Sequence, residues 1–383
     1  MKIPRNIIPL TFAFGMFWGS GAMADIKIGV TISATGSGAA IGIPAKNTVA
    51  LLPPTIAGQP VQYIVLDDAS DATRAVSNAR KLITVEHVDA LIGSSIGPTT
   101  FPLVDIAAET KTPLIVMNPA TGLVEPMDEK RKWVFKILPH DTLLAKGIAD
   151  HMAKNGVKTV AFIGFNDAFG ENWYAAAVKT LNERGIKIIA KESFTRTDTS
   201  VSGQILKIVA AKPDAVWVGA SGTPAVLPQK ALKERGYKGQ IYHTSGVASM
   251  DFIRVGGKFV EGAILPAGPI IAASELPDSN PIKKLALDYI QRYEALNKIP
   301  YAAFGPHLVD SVHLISDAVP AALNVAKPGT PEFRAALRDG LESAKSVVLI
   351  NGILSMSPTN HSGYDDRARV MVRVENGAIR LIR

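Results

Sequence analysis

Short runs of β-branched and aliphatic residues alternate with helical patterns along most of the chain, and this rhythm restricts the fold more than any other feature. The runs that indicate buried strands are 26–32, 61–67, 88–93, 113–117, 157–164, 186–192 and 214–219. Apolar residues at helical spacing lie between them, in 73–86, 98–110 and 168–184, and Gly185 and Gly236 stand where helices should end. This alternation predicts βαβ units and an α/β fold with parallel sheets.

Small polar residues are concentrated in six loops, five of which follow these strands and one of which follows the short run IYH (241–243). The loops contain residues 33–36, 94–95, 118–121, 166–167, 221–223 and 244–246. Ligands of parallel sheets bind beyond the carboxyl ends of the strands, where such loops meet. We therefore expect the six loops to line a shared cleft.

The N-terminus indicates export from the cytoplasm. Lys2 and Arg5 precede an apolar run, 7–18, and an A-x-A motif that ends at Ala24. This is the pattern of a secretory signal peptide, which we predict to span 1–24 and to be cleaved after Ala24. The sequence contains no cysteine, which excludes a lipid tether through cysteine and a thiolate metal site, and a periplasmic location is expected.

Length and charge narrow the class of protein further. Removal of 24 residues from 383 leaves more chain than one hydrophobic core usually serves, so two domains are expected. The formal net charge is +7, but the basic residues are scattered, which argues against nucleic-acid binding. The seven histidines show no paired spacing, and we expect no metal, no cofactor and a monomer.

One motif permits an enzymatic interpretation. Residues 93–97 fit G-x-S-x-G, the nucleophile elbow of α/β-hydrolases, with Ser95 as the nucleophile. Pro98 favours the first position of a helix, which leaves Ser95 ahead of the helix instead of on the sharp turn. An exported serine hydrolase remains an alternative, with His243, His307 or His361 as the base, although no HGGG-type oxyanion segment is present.

Several segments in order resemble a known family. They are DIKIGVTISATGSGAAIG (25–42), IVLDDASDATRAVSNARKLI (64–83), VDALIGS (88–94), AAETKTPLIVMNPA (107–120), FNDAFGENW (165–173), AVWVGASG (215–222) and SPTNHSGYDDRARVMVRVENG (357–377). The chain resembles the type I periplasmic binding proteins of ABC transporters, most closely the branched-chain amino acid (Leu/Ile/Val) binding family. The resemblance implies two Rossmann-like lobes joined by three hinge crossings, and docking on an ABC transporter permease in the inner membrane.

Transfer of the family's layout gives the lobe boundaries and the ligand-binding residues. The first lobe would comprise 25–139 with 270–345, and the second 140–269 with 346–383. The loop before the helix at Pro98 would bind the carboxylate of the ligand. The implied ligand-binding residues are Ser33, Ser94, Ser95, Thr99, Thr100, Asn118, Ala120, Thr121, Phe169, Ser221, Gly222, His243, Ser245 and Gly246.

The sequence departs from the amino-acid-binding pattern at three places. Ser245 stands where the family has an acidic residue for the ligand's ammonium group, and Ser221 or Gly222 and Phe169 replace two tyrosines. A cleft without the acid should reject amino acids, because a buried unpaired ammonium is costly. We therefore expect a small carboxylic acid, and the chain also resembles the subgroup that binds benzoate or phenylpropenoid acids.

An aromatic ligand would need partners for its ring. Phe169, Trp173 and Tyr301 could flank the ring, and His243 could meet a ring hydroxyl, although all four could also pack within a lobe. Asp141 or Asp167 could restore the ammonium site, and a branched-chain amino acid or an amide would then be the ligand. A ligand-sensing module that signals to a separate protein is a further alternative.

Overall fold

The computed structural model describes residues 25–382, so the predicted signal peptide lies outside the described residues. The strands are β1 Ile26–Ile32, β2 Thr55–Ile56, β3 Gln59–Asp67, β4 Ala90–Ile92, β5 Leu114–Val116, β6 Val134–Lys136, β7 Thr159–Phe165, β8 Lys187–Phe194, β9 Ala215–Gly219, β10 Gln240–His243, β11 Ile264–Ala267, β12 Val347–Leu349, β13 Gly352–Leu354, β14 Val370–Glu375 and β15 Ala378–Leu381. The helices are α1 Ala39–Thr48, α2 Ala72–Thr84, α3 Gly97–Thr100, α4 Leu103–Thr110, α5 Asp141–Lys154, α6 Ala168–Asn182, α7 Ser202–Ala211, α8 Val226–Glu234, α9 Met250–Gly256, α10 Pro281–Asn297, α11 Pro306–Leu323 and α12 Pro331–Glu342. None of the helices in this part of the chain is long and apolar enough to cross a membrane.

The strands form one main sheet in each of two lobes. The first sheet has the order β2-β3-β1-β4-β5-β6 and the second β15-β14-β11-β10-β9-β7-β8, while β12 and β13 pair separately. The central pairs are parallel, and antiparallel pairing is confined to the edges at β2, β14 and β15. The predicted α/β fold with parallel sheets in two lobes is confirmed.

The strands predicted from the sequence agree with the structure to within two residues at each end. Gly185 and Gly236 follow helices with φ of 67° and 73°, the left-handed region that favours glycine. The helix predicted over 98–110 is instead divided into α3 and α4. The physical reason is Pro102, which has no N–H to continue the helical ladder and whose ring crowds the preceding turn.

Helices cover both faces of the first sheet, as parallel strands require. Leu308 and Val312 of α11 and Phe333 of α12 pack on one face, and Leu82 of α2 packs in a separate cluster on the other. A larger cluster surrounds the second sheet and includes Trp217 of β9. Each lobe therefore has its own hydrophobic core.

The chain passes between the two sheets three times. It leaves the first sheet at β6 and enters the second at β7, returns after β11 to α10, α11 and α12, and joins the second sheet again at β14. The sequence analysis placed the third crossing near Lys345. In the structure Leu349, Leu354 and Met356 are fully buried in the core of the first lobe. The segment 347–368 therefore packs with the first lobe, because its apolar side chains are buried there.

Asp310 ties the β12–β13 hairpin to α11. Its carboxylate has no exposed surface and accepts hydrogen bonds from the Ile350 N–H at 2.7 Å, the Asn351 N–H at 3.1 Å and Asn351 Nδ2 at 2.9 Å. Burial raises the pKa of Asp310 to about 7, although these donors oppose the shift. Because the native protein holds this proton more tightly than the unfolded chain does, the resulting stability is present at low pH and is lost as the pH rises through 7.

The substitution Asp310→Asn should remove this pH dependence, since an amide does not titrate. Between pH 5 and pH 8 the wild-type free energy of unfolding should fall by up to about 3 kcal/mol more than that of the variant. Chemical denaturation at each pH measures the difference. Asp317→Asn, at an exposed position of the same helix, should behave as the wild type. Parallel pH profiles for the wild type and Asp310→Asn would contradict the expectation.

Candidate functional site

The two lobes meet directly where the carboxyl ends of their sheets face one another. Gly97 of α3 lies against α6, and a Cβ atom at Gly97 would lie 3.1 Å from the Phe169 Cβ. A Cβ atom at Gly222 would likewise lie 3.5 Å from the Ser37 carbonyl oxygen of the other lobe. The lobes are therefore closed over the space between them, and a larger residue at Gly97 would hold them apart.

A buried carboxylate organises the cleft side of the first lobe. Asp68 has no exposed surface and accepts hydrogen bonds from Ser33 Oγ at 2.7 Å, Ser94 Oγ at 2.5 Å and the Ser70 N–H at 2.9 Å. Burial raises the pKa of Asp68, and these donors oppose that shift. Ser33 and Ser94, both predicted to bind the ligand, thus hold the loops after β1 and β4 on this carboxylate.

The remaining hydroxyls of the loop after β4 differ in whether they are free to bind a ligand. Thr99 and Thr100 have no exposed surface, and their hydroxyls donate to the Ile96 carbonyl at 3.0 and 2.7 Å. Ser95 Oγ accepts a hydrogen bond from the Ser33 N–H at 3.1 Å and keeps 6% of its surface exposed. Its own hydroxyl hydrogen has no acceptor among residues 25–382, so Ser95 retains a donor for a ligand.

The surroundings of Ser95 do not support catalysis. Within the described part of the chain, its hydrogen bonds involve Ser33 and Ser94 and no histidine. The His361 ring stacks on Phe135 and contacts the Val134 carbonyl at 2.9 Å. A serine nucleophile needs a base within hydrogen-bond reach, and the residues described here supply none. Residues 25–382 also contain no group of three acidic or histidine side chains placed to hold a metal ion.

The loop after β5 is closed by its own hydrogen bonds. Asn118 Oδ1 accepts from the Ala120 N–H at 3.0 Å, and both residues are buried. Thr121 Oγ1 donates a short hydrogen bond to Asp141 Oδ1, and the Thr142 N–H donates to the same oxygen at 2.8 Å. The structure thus brings Asn118, Ala120 and Thr121 together, and it uses the Thr121 hydroxyl to hold Asp141.

Asp141 also faces an internal cation. Lys136, at the end of β6, has no exposed surface and donates to the Pro119 carbonyl at 2.8 Å. Burial lowers the pKa of Lys136 to about 7, and the charge of Asp141 opposes this shift. Because Asp141 is 1% exposed and already accepts from Thr121 and Thr142, it is not free to pair with a ligand's ammonium group.

The second lobe contributes an arginine that the sequence analysis did not select. Arg196, in the loop after β8, donates from Nε to Asp167 Oδ2 at 2.7 Å and from Nη1 to Ser221 Oγ at 3.3 Å. Its guanidinium lies 4.0 Å from the Phe165 ring centroid, and its side chain is 10% exposed. Nη2 is buried and has no hydrogen-bond partner among the described residues. This nitrogen is an unused donor beside two residues of the predicted site loops.

The sequence did contain a signal for Arg196. It lies in the polar loop TRTDTS (195–200), four positions after the strand predicted over 186–192, and this loop was not among the six expected to line the cleft. Asp167 was considered as an ammonium partner, yet its Oδ1 caps α6 through the Phe169 N–H at 2.9 Å and its Oδ2 binds Arg196. Both acidic residues that could have restored an ammonium site are therefore occupied within the protein.

The aromatic residues divide between packing and the cleft. Trp173 is buried, with its ring centroid 6.1 Å from that of Trp217, and belongs to the core of the second lobe. Phe169 is 4% exposed and contacts Gly97 across the lobes. Tyr301 donates to the Ile270 carbonyl at 3.2 Å and lines a separate cavity with Ser249 and Met250. Phe169 and Tyr301 therefore both lie between the lobes, in different places, whereas Trp173 does not.

His243 does not meet the cleft. Its ring has no exposed surface, forms a short hydrogen bond to Gln229 Oε1 and packs edge-on against Phe252, with 5.2 Å between centroids. The interpretation that His243 contacts a ring hydroxyl is therefore contradicted. The reason is strand alternation, which directs the side chain of this last β10 residue into the core of the lobe.

The predicted residues after β9 and β10 do lie together. The Gly222 N–H donates to the Gly246 carbonyl at 2.8 Å, and a Cβ atom at Gly246 would lie 2.5 Å from the Ser221 Cβ. Glycine at 246 is thus needed for close approach of the two loops. Ser245, beside it, lines a cavity of about 430 Å³, counting its open mouth, near the crossing segments. The cavity is lined by Leu138, Pro139, Leu144, Ser245, Ala248, Ala267, Gly268, Ala303, Phe304, His307, Asn351 and Ala368.

The substitution Ser94→Ala tests whether this hydroxyl has a structural role. Removal of a donor from the buried Asp68 carboxylate should lower the free energy of unfolding of ligand-free protein by about 1–3 kcal/mol. Ser77→Ala, at an exposed helical position, is the matched control and should change it by less than about 0.5 kcal/mol. Unchanged stability of ligand-free Ser94→Ala, measured by urea denaturation, would contradict this structural role.

Comparison with known proteins agrees with this geometry. The Leu/Ile/Val-binding protein homolog 3 of Brucella melitensis is 26% identical over 357 residues, which cover 91% of this chain and 92% of that protein. An extracellular ligand-binding receptor from Rhodopseudomonas palustris HaA2 is 51% identical, with a TM-score of 0.91 and coverage of 94% of this chain and 100% of that one. A solute binding protein of an ABC transporter from R. palustris, in complex with benzoate, shares the fold at 20% identity, with a TM-score of 0.77 and coverage of 94% and 96%. The sequence profile of the periplasmic binding protein family matches residues 25–378, and the chain belongs to this family of substrate-binding proteins.

Proposed function

We propose that this protein is the solute-binding component of an ABC importer and captures a small aromatic monocarboxylic acid by closure of its two lobes. The observation that carries the proposal is the buried, unpartnered Nη2 of Arg196. An unpaired buried donor costs about 1–3 kcal/mol, more if charged, so the site has an unmet need for an acceptor. A carboxylate supplies a negatively charged acceptor for this donor.

Other groups near Arg196 suit the same ligand. Ser221 Oγ accepts from Arg196 Nη1 and keeps its own hydroxyl hydrogen for a ligand oxygen. Charge-assisted hydrogen bonds from guanidinium to carboxylate are roughly twice as strong as neutral ones. Ser95, facing from the first lobe, offers a second hydroxyl. The carboxylate would thus be held mainly by the second lobe, with the exposed edge of Phe169 beside the ring.

An amino acid fits the site less well. Its ammonium needs a carboxylate, but Asp141 binds Thr121 and faces Lys136, and Asp167 binds Arg196. Ser245 occupies the place where the resembling amino-acid-binding proteins carry an acid. The name of the Brucella melitensis relative favours a branched-chain amino acid as the second candidate ligand, and the benzoate-bound R. palustris structure shows that the fold accepts an aromatic acid.

The lobe boundaries, the docking partner and the location of the protein belong to the same proposal. The first lobe comprises 25–139 with 270–368 and the second 140–269 with 369–383, because 347–368 pack in the core of the first lobe. Ligand binding stabilises the closed form, which docks as a monomer on a permease of the inner membrane. Signal peptide 1–24 directs the protein to the periplasm.

A ligand panel separates the two candidates. After unfolding and refolding to remove carried-over ligand, benzoate, hydroxybenzoates and cinnamates should raise the melting temperature, whereas leucine, valine and amides should not. A ligand at a hundred times its dissociation constant adds about 2.7 kcal/mol of stability. Stabilisation by leucine or valine, without stabilisation by any aromatic acid, would sink the proposal.

The role of Arg196 is tested by Arg196→Lys, which keeps a cation beside Asp167 but removes the planar fork of donors. The dissociation constants of benzoate and cinnamate, measured by titration calorimetry, should rise about 10–100-fold. Arg235→Lys, at an exposed position of the same lobe, is the matched control and should leave both constants unchanged. An unaltered affinity in Arg196→Lys would remove this residue from the site.

Processing of the signal peptide gives a further expected result. Protein recovered from the periplasmic fraction should begin at Asp25, as measured by intact mass and N-terminal sequencing. Replacement of Ala24 by a bulky residue should leave precursor with residues 1–24 attached, since the cleavage site requires small residues. A periplasmic mass that corresponds to all 383 residues would contradict cleavage.

A further inference from the structure

A histidine not assigned to the ligand lies in the wall of the cavity near the crossing segments. His307, in the first turn of α11, is 9% exposed and packs edge-on against Phe304, with 6.1 Å between ring centroids. Neither of its ring nitrogens has a hydrogen-bond partner among residues 25–382. The rest of the wall is mostly apolar, including Leu138, Leu144 and Ala303. The ring therefore presents unsatisfied polar atoms to an otherwise hydrophobic space.

Burial determines the chemical form of this ring. It lowers the pKa of His307 to about 3, so that the imidazole is uncharged at neutral pH. A neutral imidazole has one donor and one acceptor nitrogen. A hydroxyl group also donates and accepts, whereas a carboxylate only accepts. His307 therefore suits a hydroxyl, and the permanently charged Arg196 suits the carboxylate.

The cavity that His307 lines is linked to Arg196 through two adjoining loops, those after β9 and β10. Ser245 lines the cavity with His307, and the neighbouring Gly246 packs directly on Ser221. Ser221 in turn binds Arg196. The wall of this cavity is mainly apolar with a few polar groups, as is typical of small-molecule sites. His307 and Arg196 thus lie on opposite sides of the Gly246–Ser221 contact between these loops, on separate lobes.

We infer that His307 binds a hydroxyl group on the ligand's ring, on the side away from the carboxylate, so that the ligand class is the hydroxylated aromatic monocarboxylic acids. The inference rests on the proposed function and deepens it. His307 is then a specificity-determining residue. An acid without the hydroxyl would enter the same space but leave the imidazole unpaired, which weakens its binding.

Paired probes test the inference with refolded full-length mature protein. Calorimetry gives the dissociation constants of benzoate and 4-hydroxybenzoate, and of cinnamate and 4-hydroxycinnamate. The wild type should bind at least one hydroxylated acid about 10–100-fold more tightly than its parent. His307→Leu should lose this preference while it still binds the parent acid, and His307→Gln, which keeps a donor and an acceptor, should recover part of it.

The controls separate the possible failures. His313→Leu, at an exposed position of the same helix, should keep the wild-type preference. Equal affinity of the wild type for both members of each pair, or a preference retained in His307→Leu, would overturn the role of His307 and leave the aromatic-acid proposal standing. Failure of the wild type to bind any of the four acids would overturn both. Circular dichroism and melting temperatures identify a variant that does not fold. If His307→Leu does not fold, the preference measured with His307→Gln decides the role of His307.

Discussion

Polar groups enclosed between two closed lobes need hydrogen-bond partners. This requirement determines which groups of the cleft remain available to a ligand. Asp68 meets it in the first lobe by accepting from Ser33, Ser94 and the Ser70 N–H, which fixes the loops after β1 and β4. Asp167 meets it in the second lobe by capping α6 and binding Arg196. The buried Asp68 and the partly exposed Asp167 thus hold the loops on which the site is built, and they are internal partners instead of ligand contacts.

Because of these internal hydrogen bonds, the two lobes differ in the donors that they leave free for a ligand. Most hydroxyls of the first lobe are saturated, whereas the second lobe retains an unpaired guanidinium nitrogen on Arg196 and a hydroxyl hydrogen on Ser221. The crossing region retains the unpaired imidazole of His307. Unsatisfied donors of this kind are costly in a closed protein unless a ligand completes them. Closure and ligand capture are therefore coupled through these unpaired atoms of Arg196, Ser221 and His307.

The sequence predicted the secondary structure closely, because alternating buried strands and amphipathic helices leave strong local patterns. It failed at Pro102, where one residue without an N–H divides a helix, and at 347–368, where short apolar runs carry no sign of which core they join. The site loops were found because they follow strands of parallel sheets. The roles of the loop residues were assigned less well. In the sequence, a serine at a strand end that binds a ligand cannot be distinguished from one that binds a buried aspartate.

The sequence by itself determined the α/β architecture and the position of the polar loops, because these depend on local periodicity, while the two lobes were implied by chain length and by the family resemblance. The tertiary structure alone decided which polar atoms are free. Arg196 meets Ser221 across 25 positions of the chain, and His307 reaches the cavity beside Ser245 from a distant helix. His243, equally promising in sequence, is directed into the core by its place on β10. Availability depends on burial and on partners distant in sequence, which no local pattern encodes.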